Sequence, residues 1–328
     1  MLPTIKVCFS FRKDDLKKWY TDFFCGILDK RYQIVIEEIN PDFIFHEAHL
    51  VDVLDYSGVR IAVSGENVRT DFNISDYGIG FDHLSFQDRY LRFPLYMMYT
   101  GSLDMSERRK DVIDIDSSDA FLQRKFCNFL VSNGTATEFR TQFFHRLSKY
   151  KSIESGGGYL NNIGGKVSDK STWQREFKFS LCFENSSTSG YLTEKLIQAY
   201  AAMTVPIYWG DPDAVGSLAI GKGGINPKAL IWVDQNEPSK AIHKIEELDS
   251  NRDLFLAYLR EPLFLEEDHS QYFKKRLENF LYSIFDQRKE LAYRRGFGQV
   301  RMRVEKRQIA RSNGFKSLIT YFKKRLRN

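Results

Sequence analysis

Residues 177–212 read FKFSLCFENSSTSGYLTEKLIQAYAAMTVPIYWGDP, and their pattern decides the fold. Over 177–183 apolar side chains alternate with small or polar ones, the two-residue period of a strand. A polar loop, 184–190, comes next. It leads into a helical stretch with Leu196, Ile197 and Tyr200 on one face and Thr193 in the N-cap position. Residues 204–209 form a second strand signal, closed by Gly210, Asp211 and Pro212. Strand, loop, helix, strand is the repeating unit of a parallel sheet. In such sheets ligands sit where strand ends meet helix N-termini.

The same alternation extends toward the N-terminus. Residues 5–10, 32–36, 42–46, 59–63 and 77–81 have strand composition, with a helical stretch over 14–30. Residues 101–118, charged and rich in Ser and Asp, predict an exposed insertion. Residues 121–131 and 139–147 read as helices, the second leading to the run Gly156-Gly157-Gly158. At 328 residues the chain is longer than one core usually supports. The reading is therefore an α/β protein of two domains, 1–150 and 151–287, with a basic tail over 288–328.

Composition narrows the class. Hydrophobic residues at 42% and charged residues at 28% describe a folded globular chain and exclude a disordered one. No apolar run approaches the roughly 18 residues of a membrane-spanning helix. The first residues, MLPTIKVCF, read directly into a strand without an apolar leader. The expected place of work is the cytosol or the cytosolic face of a membrane. Cys8, Cys25, Cys127 and Cys182 form no C-x-x-C pair, and the six histidines form no H-E-x-x-H. Neither a disulfide framework nor a structural metal is expected to organise the fold. The net charge of +5 conceals an asymmetry: 288–328 holds 14 Lys and Arg against Glu290 and Glu305, and the rest is mildly acidic. That is not a uniformly basic nucleic-acid surface.

The densest chemical cluster is Glu184, Asn185, Tyr191, Glu194 and Lys195, around a strand end and a helix start. Free N–H groups and the positive helix dipole face that point. A lysine in the first turn opposes the dipole, which suggests an attending anion such as a phosphate. Glu194 suits a ribose or sugar diol, gripped through two hydroxyl hydrogen bonds. The plainer reading of the same residues is a helix cap with a solvated lysine.

This stretch resembles the signature of the α-1,3-fucosyltransferases of glycosyltransferase family 10. A second block agrees: Ser64-Gly65-Glu66-Asn67, then DYGIGFD over 76–82, then DRYLRFPL over 88–95. With Ser132, Asn133, Arg140 and 156–166, the likeness covers roughly residues 60–212. It implies two Rossmann-like domains facing across a cleft, the GT-B type, with the acceptor on the N-terminal one and GDP-fucose on the other. It implies a single inverting displacement, with Glu66 as the general base. Arg140 and Lys195 match the family's diphosphate-binding cations, and together they would take the place of a divalent ion, so no metal and no cofactor are expected. Asn185 and Tyr191 match positions around the phosphates and fucose, and Glu194 the ribose contact. The bland role of Tyr191 is packing. Glu184 is open between a ligand contact and a structural acceptor. Asn162 and Lys166, in the Gly-rich stretch, are further donor-contact candidates. Where some members carry a basic residue this chain has Gly158, which removes one contact.

Two D-x-D triplets, Asp114-Ile115-Asp116 and Asp211-Pro212-Asp213, imitate the metal sites of other transferases. Within the tail, Phe315, Leu318, Ile319, Phe322 and Leu326 recur at helical spacing among Lys316, Lys323, Lys324, Arg325 and Arg327. That pattern predicts a cationic amphipathic helix suited to an anionic membrane surface, here the cytoplasmic face of an inner membrane. A helix docked on its own domain and a solvated tail are the alternatives. The resemblance implies a bacterial enzyme that adds fucose to N-acetylglucosamine of N-acetyllactosamine-type glycans, decorating lipopolysaccharide with Lewis-type structures. Transfer of another GDP-linked sugar is the alternative within the class. A nucleic-acid-binding role of the tail is the alternative outside it, and it leaves Glu66 and 183–195 unexplained.

Overall fold

The computed structural model describes residues 2–49, 52–107, 118–287, 289–296, 303–307, 310, 311 and 314. They form two compact units. The first unit takes residues 1–80, 84–93 and those from Lys274 onward; the second takes 81–83 and 94–273.

The first unit is a six-stranded sheet: β1 (Thr4–Ser10), β2 (Gln33–Ile36), β3 (Phe43–Glu47), β4 (Val59–Val63), β5 (Tyr77–Gly80) and β6 (Tyr90–Arg92). The order is β2-β1-β3-β4-β5-β6, and every pairing is parallel. β4 is buried along its whole length, as Val and Ile on both faces of a covered parallel sheet require. Helix α1 (Asp14–Leu28) buries Tyr20, Phe24 and Leu28, a four-residue spacing that gives one apolar stripe. Phe24 stacks on Phe45 at 4.4 Å, and Phe45 stacks on Phe285 at 6.0 Å. Phe285, far along the chain, thus packs into the core of this unit.

The second unit is a five-stranded sheet: β7 (Lys125–Phe129), β8 (Ile153–Ser155), β9 (Phe177–Phe183), β10 (Val205–Trp209) and β11 (Ile231–Trp232). Its order is β11-β10-β9-β7-β8, again all parallel. The central β9 is buried at all seven positions, so its Lys178 must be paired, and the partner is Asp249. Four helices matter below: α2 (Glu138–Leu147), α3 (Lys170–Gln174), α4 (Glu194–Ala201) and α5 (Pro238–Ser250).

Three expectations change. The boundary falls between Phe93 and Pro94, not near residue 150, because β7 and β8 pair into the same sheet as β9. Residues 125–129 are a strand, not part of a helix. Asn128 fixes that choice: its amide nitrogen donates to Phe179 O at 3.1 Å and to Ser180 Oγ at 2.7 Å, deep inside the sheet. Before that strand Ser118–Leu122 is helical, and so is Thr100–Glu107, which buries Leu103 and Ser106 in the stretch expected to be an exposed insertion. Residues 108–117, with Asp114 and Asp116, lie outside the described residues.

The third change concerns the tail, which does not begin at 288. The N–H groups of Arg294 and Arg295 both donate to Asp76 Oδ1, at 2.7 and 2.9 Å. Arg295 Nε lies 3.0 Å from Asp76 Oδ2, with 1% and 0% of the two side chains exposed. Arg60, also buried, bonds to Glu305 Oε1 at 3.2 Å. Breaking a buried pair of this kind costs about 3–5 kcal/mol, because the remaining charge is stranded. These bonds anchor Arg294, Arg295 and Glu305 as part of the first unit. The apolar stripe from Phe315 onward lies outside the described residues.

Candidate functional site

In the second unit β9 ends at Phe183 and its ladder runs one residue on, Glu184 N donating to Trp209 O at 2.9 Å. That bond fixes Glu184, which has no solvent exposure. Its Oε1 accepts Thr193 N at 2.8 Å; its Oε2 accepts Thr193 Oγ1 at 2.7 Å and Lys195 Nζ at 3.0 Å. Gly210 is needed here, since a Cβ at that position would meet Glu184 Cγ at 2.4 Å. Thr193 stands at the N-cap of α4 as expected, but its hydroxyl serves Glu184 and not the helix. Glu184 is therefore a structural acceptor whose hydrogen-bonding capacity is directed at Thr193 and Lys195.

Lys195 has Glu194 Oε1 at 3.6 Å on its other side. Burial works against its charge, but Glu184 and Glu194 outweigh it, so the ammonium is held above the ordinary lysine range. For Glu194 burial favours the neutral acid, yet Lys195 and Lys170 prevail and its pKa is lowered. Lys170, at the start of α3, is a residue that sequence reading missed. Burial lowers its pKa, and its charged neighbours include Glu194, Lys195 and Glu184. Nothing in Ser168-Asp169-Lys170-Ser171 distinguishes it from a polar loop. The anion called for by a lysine in the first turn is thus already present in the protein, in Glu184.

Arg140 comes from α2, with only 2% exposure. Its Nη1 donates to Asn185 Oδ1 at 3.1 Å and its Nη2 to Asn133 O, while Nε, also buried, has no partner. Arg140 also feels the charge of Glu184, so it belongs to the same electrostatic cluster as Lys195. Tyr191 is 3% exposed, with its ring edge-on to Phe81 at 5.1 Å. The loop before it turns at Gly190, where φ is +82° and a Cβ would lie 2.4 Å from Phe81 O. Arg140, Asn185, Tyr191, Glu194 and Lys195 therefore gather at the carboxyl end of β9.

The Gly-rich loop lies beside Asn133. Gly134 packs under the ring of Tyr159, and Lys166 Cε sits 3.2 Å from where a Cβ of Gly158 would be. The lysine thus covers the glycine that lacks a basic side chain of its own. Asn162 has a different task. Its Oδ1 accepts Ser155 N at 2.7 Å and its Nδ2 donates to Ile153 O at 2.8 Å, clasping the loop to β8. Both ends of its amide thus bond to the backbone.

Glu66 is in the first unit, on the loop after β4, and is exposed. Ser64 N continues the ladder to Ile79 O at 2.9 Å, and Val68 N donates to Glu66 O at 2.7 Å, so the loop turns tightly around Glu66. Gly65 permits this: a Cβ there would lie 2.6 Å from the hydroxyl of Tyr20. Of the second D-x-D, Asp211 is buried and its Oδ1 accepts Gly190 N at 2.7 Å and Asp213 N at 2.8 Å. Asp213 pairs with Lys222 and Ser189. These carboxylates shape the turn that carries Gly190 and Tyr191.

Comparison with known proteins agrees with this geometry. Residues 10–99 match the α-(1,3)-fucosyltransferase FucT N-terminal domain, and 122–277 match glycosyltransferase family 10 (fucosyltransferase), C-terminal. The α-(1,3)-fucosyltransferase FucT of Helicobacter pylori is 30% identical over 313 residues, covering 84% of this chain and 63% of that protein. The chain thus spans a little under two thirds of that relative's length. A crystal structure of an α1,3-fucosyltransferase superposes with a TM-score of 0.75 at 28% identity, covering 90% of this chain and 94% of the other. One holding GDP-fucose gives 0.68 at 26%, over 86% and 91%. The GT-B fold class expected from the sequence is the class of these structures. With both family profiles matched in order, the cluster at the end of β9 and the Ser64–Asn67 turn fall in a chain that belongs to glycosyltransferase family 10, the fucosyltransferases.

Proposed function

We propose that the chain transfers fucose from GDP-fucose to a glycan hydroxyl in α-1,3 linkage, the acceptor being N-acetylglucosamine of an N-acetyllactosamine-type glycan. The observation that carries this reading is the pair of cations at the carboxyl end of β9, buried Arg140 and partly buried Lys195. The likeness to a fucosyltransferase solved with GDP-fucose supports it. In the proposed step the acceptor oxygen bonds to C1 of fucose as the bond from C1 to the β-phosphate oxygen breaks, inverting the anomeric centre. The acceptor proton passes to the Glu66 carboxylate. The charge that grows on the leaving diphosphate is met by Lys195 and Arg140, fixed in advance by Glu184 and Asn185. No step calls on a divalent ion. Glu194 holds the ribose diol, and Asn185 and Tyr191 line the phosphate and fucose end. Lys166 supplies, from across the loop, the charge that Gly158 lacks.

The stripe from Phe315 to Leu326 among lysines and arginines supports a peripheral hold on the cytoplasmic face of an anionic membrane, near lipid-linked acceptors for lipopolysaccharide. Among the described residues no helix is long and apolar enough to cross a membrane. The donor is tested by titrating GDP-fucose and GDP-mannose against the purified chain. Transfer from GDP-fucose alone supports the reading; equal transfer from GDP-mannose replaces it with a broader sugar transferase.

A further inference from the structure

Four strands form the edges of the two sheets: β2 and β6, β8 and β11. Three are shielded. Tyr90 and Leu91 of β6 are 8% and 4% exposed, and β8 and β11 are as deeply covered at Ile153 and Ile231. β2 differs, with none of its four residues buried. Val35 is 38% exposed, Ile36 49% and the adjoining Ile39 91%. An open apolar edge is a template for another strand, and proteins normally shield it.

The backbone of β2 shows which groups are open. Gln33 N donates inward to Pro3 O at 2.9 Å, and Glu37 N to Val7 O at 3.0 Å. With a period of two, the N–H and C=O of Ile34 and Ile36 point away from the sheet. The charges at the two ends are opposite. Lys30 and Arg31 precede the strand, and Glu37 and Glu38 follow it.

We propose that β2 is a self-association edge, on which a second copy of this chain lays its own β2 antiparallel about a two-fold axis. A two-fold axis perpendicular to the sheet makes the pairing antiparallel, whatever the sense of the sheet itself. It sets the cationic end of each strand against the anionic end of the other, and Ile34 and Ile36 exchange backbone hydrogen bonds across the axis. Like charges would meet in a parallel alignment, Lys30 and Arg31 on Lys30 and Arg31, which disfavours it. Within the chain these charges have partners: Lys30 with Glu278, Arg31 with Asp286, and Glu38 with Lys17, while the Glu37 carboxylate accepts Ile39 N. The three ion pairs are exposed and exchange partners at little cost. So short an edge gives an interface at the small end of the range and hence weak, salt-sensitive association.

The test is sedimentation of the full chain from about 1 to 200 µM at low salt, a range suited to small interfaces. The expected result is a weight-average mass that climbs from 38.4 kDa toward twice that value. Ile36→Pro removes an outward N–H and leaves the inward ladder intact, so it should weaken association at least ten-fold while circular dichroism is unchanged. Ile36→Lys should do the same by a different route. Reversing Glu37 and Glu38 to Lys should also weaken it, and adding Lys30→Glu and Arg31→Glu should restore it. A wild-type chain that stays at 38.4 kDa throughout overturns the proposal. So does association that persists in both Ile36 variants.

Discussion

Lys195 Nζ lies 3.0 Å from Oε2 of Glu184, a carboxylate with no solvent exposure. The cation proposed to meet a leaving diphosphate is therefore held by a fixed counter-ion before any substrate arrives. Such an arrangement removes the cost of orienting a flexible lysine during the reaction. It also holds the lysine's pKa above the ordinary range, against the lowering effect of burial.

Replacing Lys195 with Ala should weaken binding of both GDP-fucose and GDP, because each presents the same diphosphate. Turnover should fall further than affinity, by about another ten-fold or more, since the charge grows in the transition state. The same change strands Glu184 without its cation, so the second unit should lose about 3 kcal/mol of stability. Calorimetric titration and thermal unfolding of one preparation separate the two effects.

Glu184→Gln keeps the volume and the bond from Thr193 N but withdraws the charge. Lys195 should then titrate lower, and an alkaline fall in kcat/KM should appear that the wild-type enzyme lacks below about pH 10, the ordinary lysine region. A variant that is uniformly slower at every pH would assign Glu184 a packing role only.

Glu66→Gln should lower turnover by about 10²–10⁴, the usual contribution of a general base. Affinity for GDP-fucose should stay within a few-fold, because Glu66 belongs to the first unit and the cations to the second. Parallel losses of affinity and turnover would contradict its role as base.

The sequence was most legible where local pattern and packing agree. β9, α4 and β10 read correctly from 177–212 because strand period, cap position and turn residues coincide there. The stretch 121–131 misled because Leu122, Phe126 and Phe129 fall at the i, i+4, i+7 spacing of a helical stripe, and only pairing with β9 decides for a strand. Arg294, Arg295 and Glu305 looked like tail charges, and their place in the first unit depends on Asp76 and Arg60, more than 200 positions away. The site was legible in its residue types and less so in their division of labour. Glu184 and Asn162 serve the scaffold, and Lys170 carried no signal at all.

His46 makes the first unit sensitive to acid. It has no exposure, its Nδ1 faces Glu47 O at 2.9 Å and its Nε2 faces Ser75 Oγ at 3.1 Å. Burial holds its pKa at about 4 against 6.5 in the unfolded chain. The unfolded state therefore takes up the proton first as the pH falls. This group's contribution is complete above pH 6.5 and is lost between 6.5 and 4, about 3 kcal/mol in all. Urea midpoints from pH 7 to 4.5 should fall more steeply in the wild type than in His46→Gln. Equal slopes would mean that the imidazole does not set the acid limit.

The most direct measurement is transfer itself: purified chain, GDP-fucose and a small panel of N-acetyllactosamine-type glycans, in excess EDTA. The expected result is GDP release that depends on acceptor, a product one deoxyhexose heavier and inverted at the anomeric carbon, and most of the activity retained in chelator. Loss of all activity in EDTA, restored by Mn²⁺ or Mg²⁺, would contradict the claim that Lys195 and Arg140 meet the leaving charge unaided.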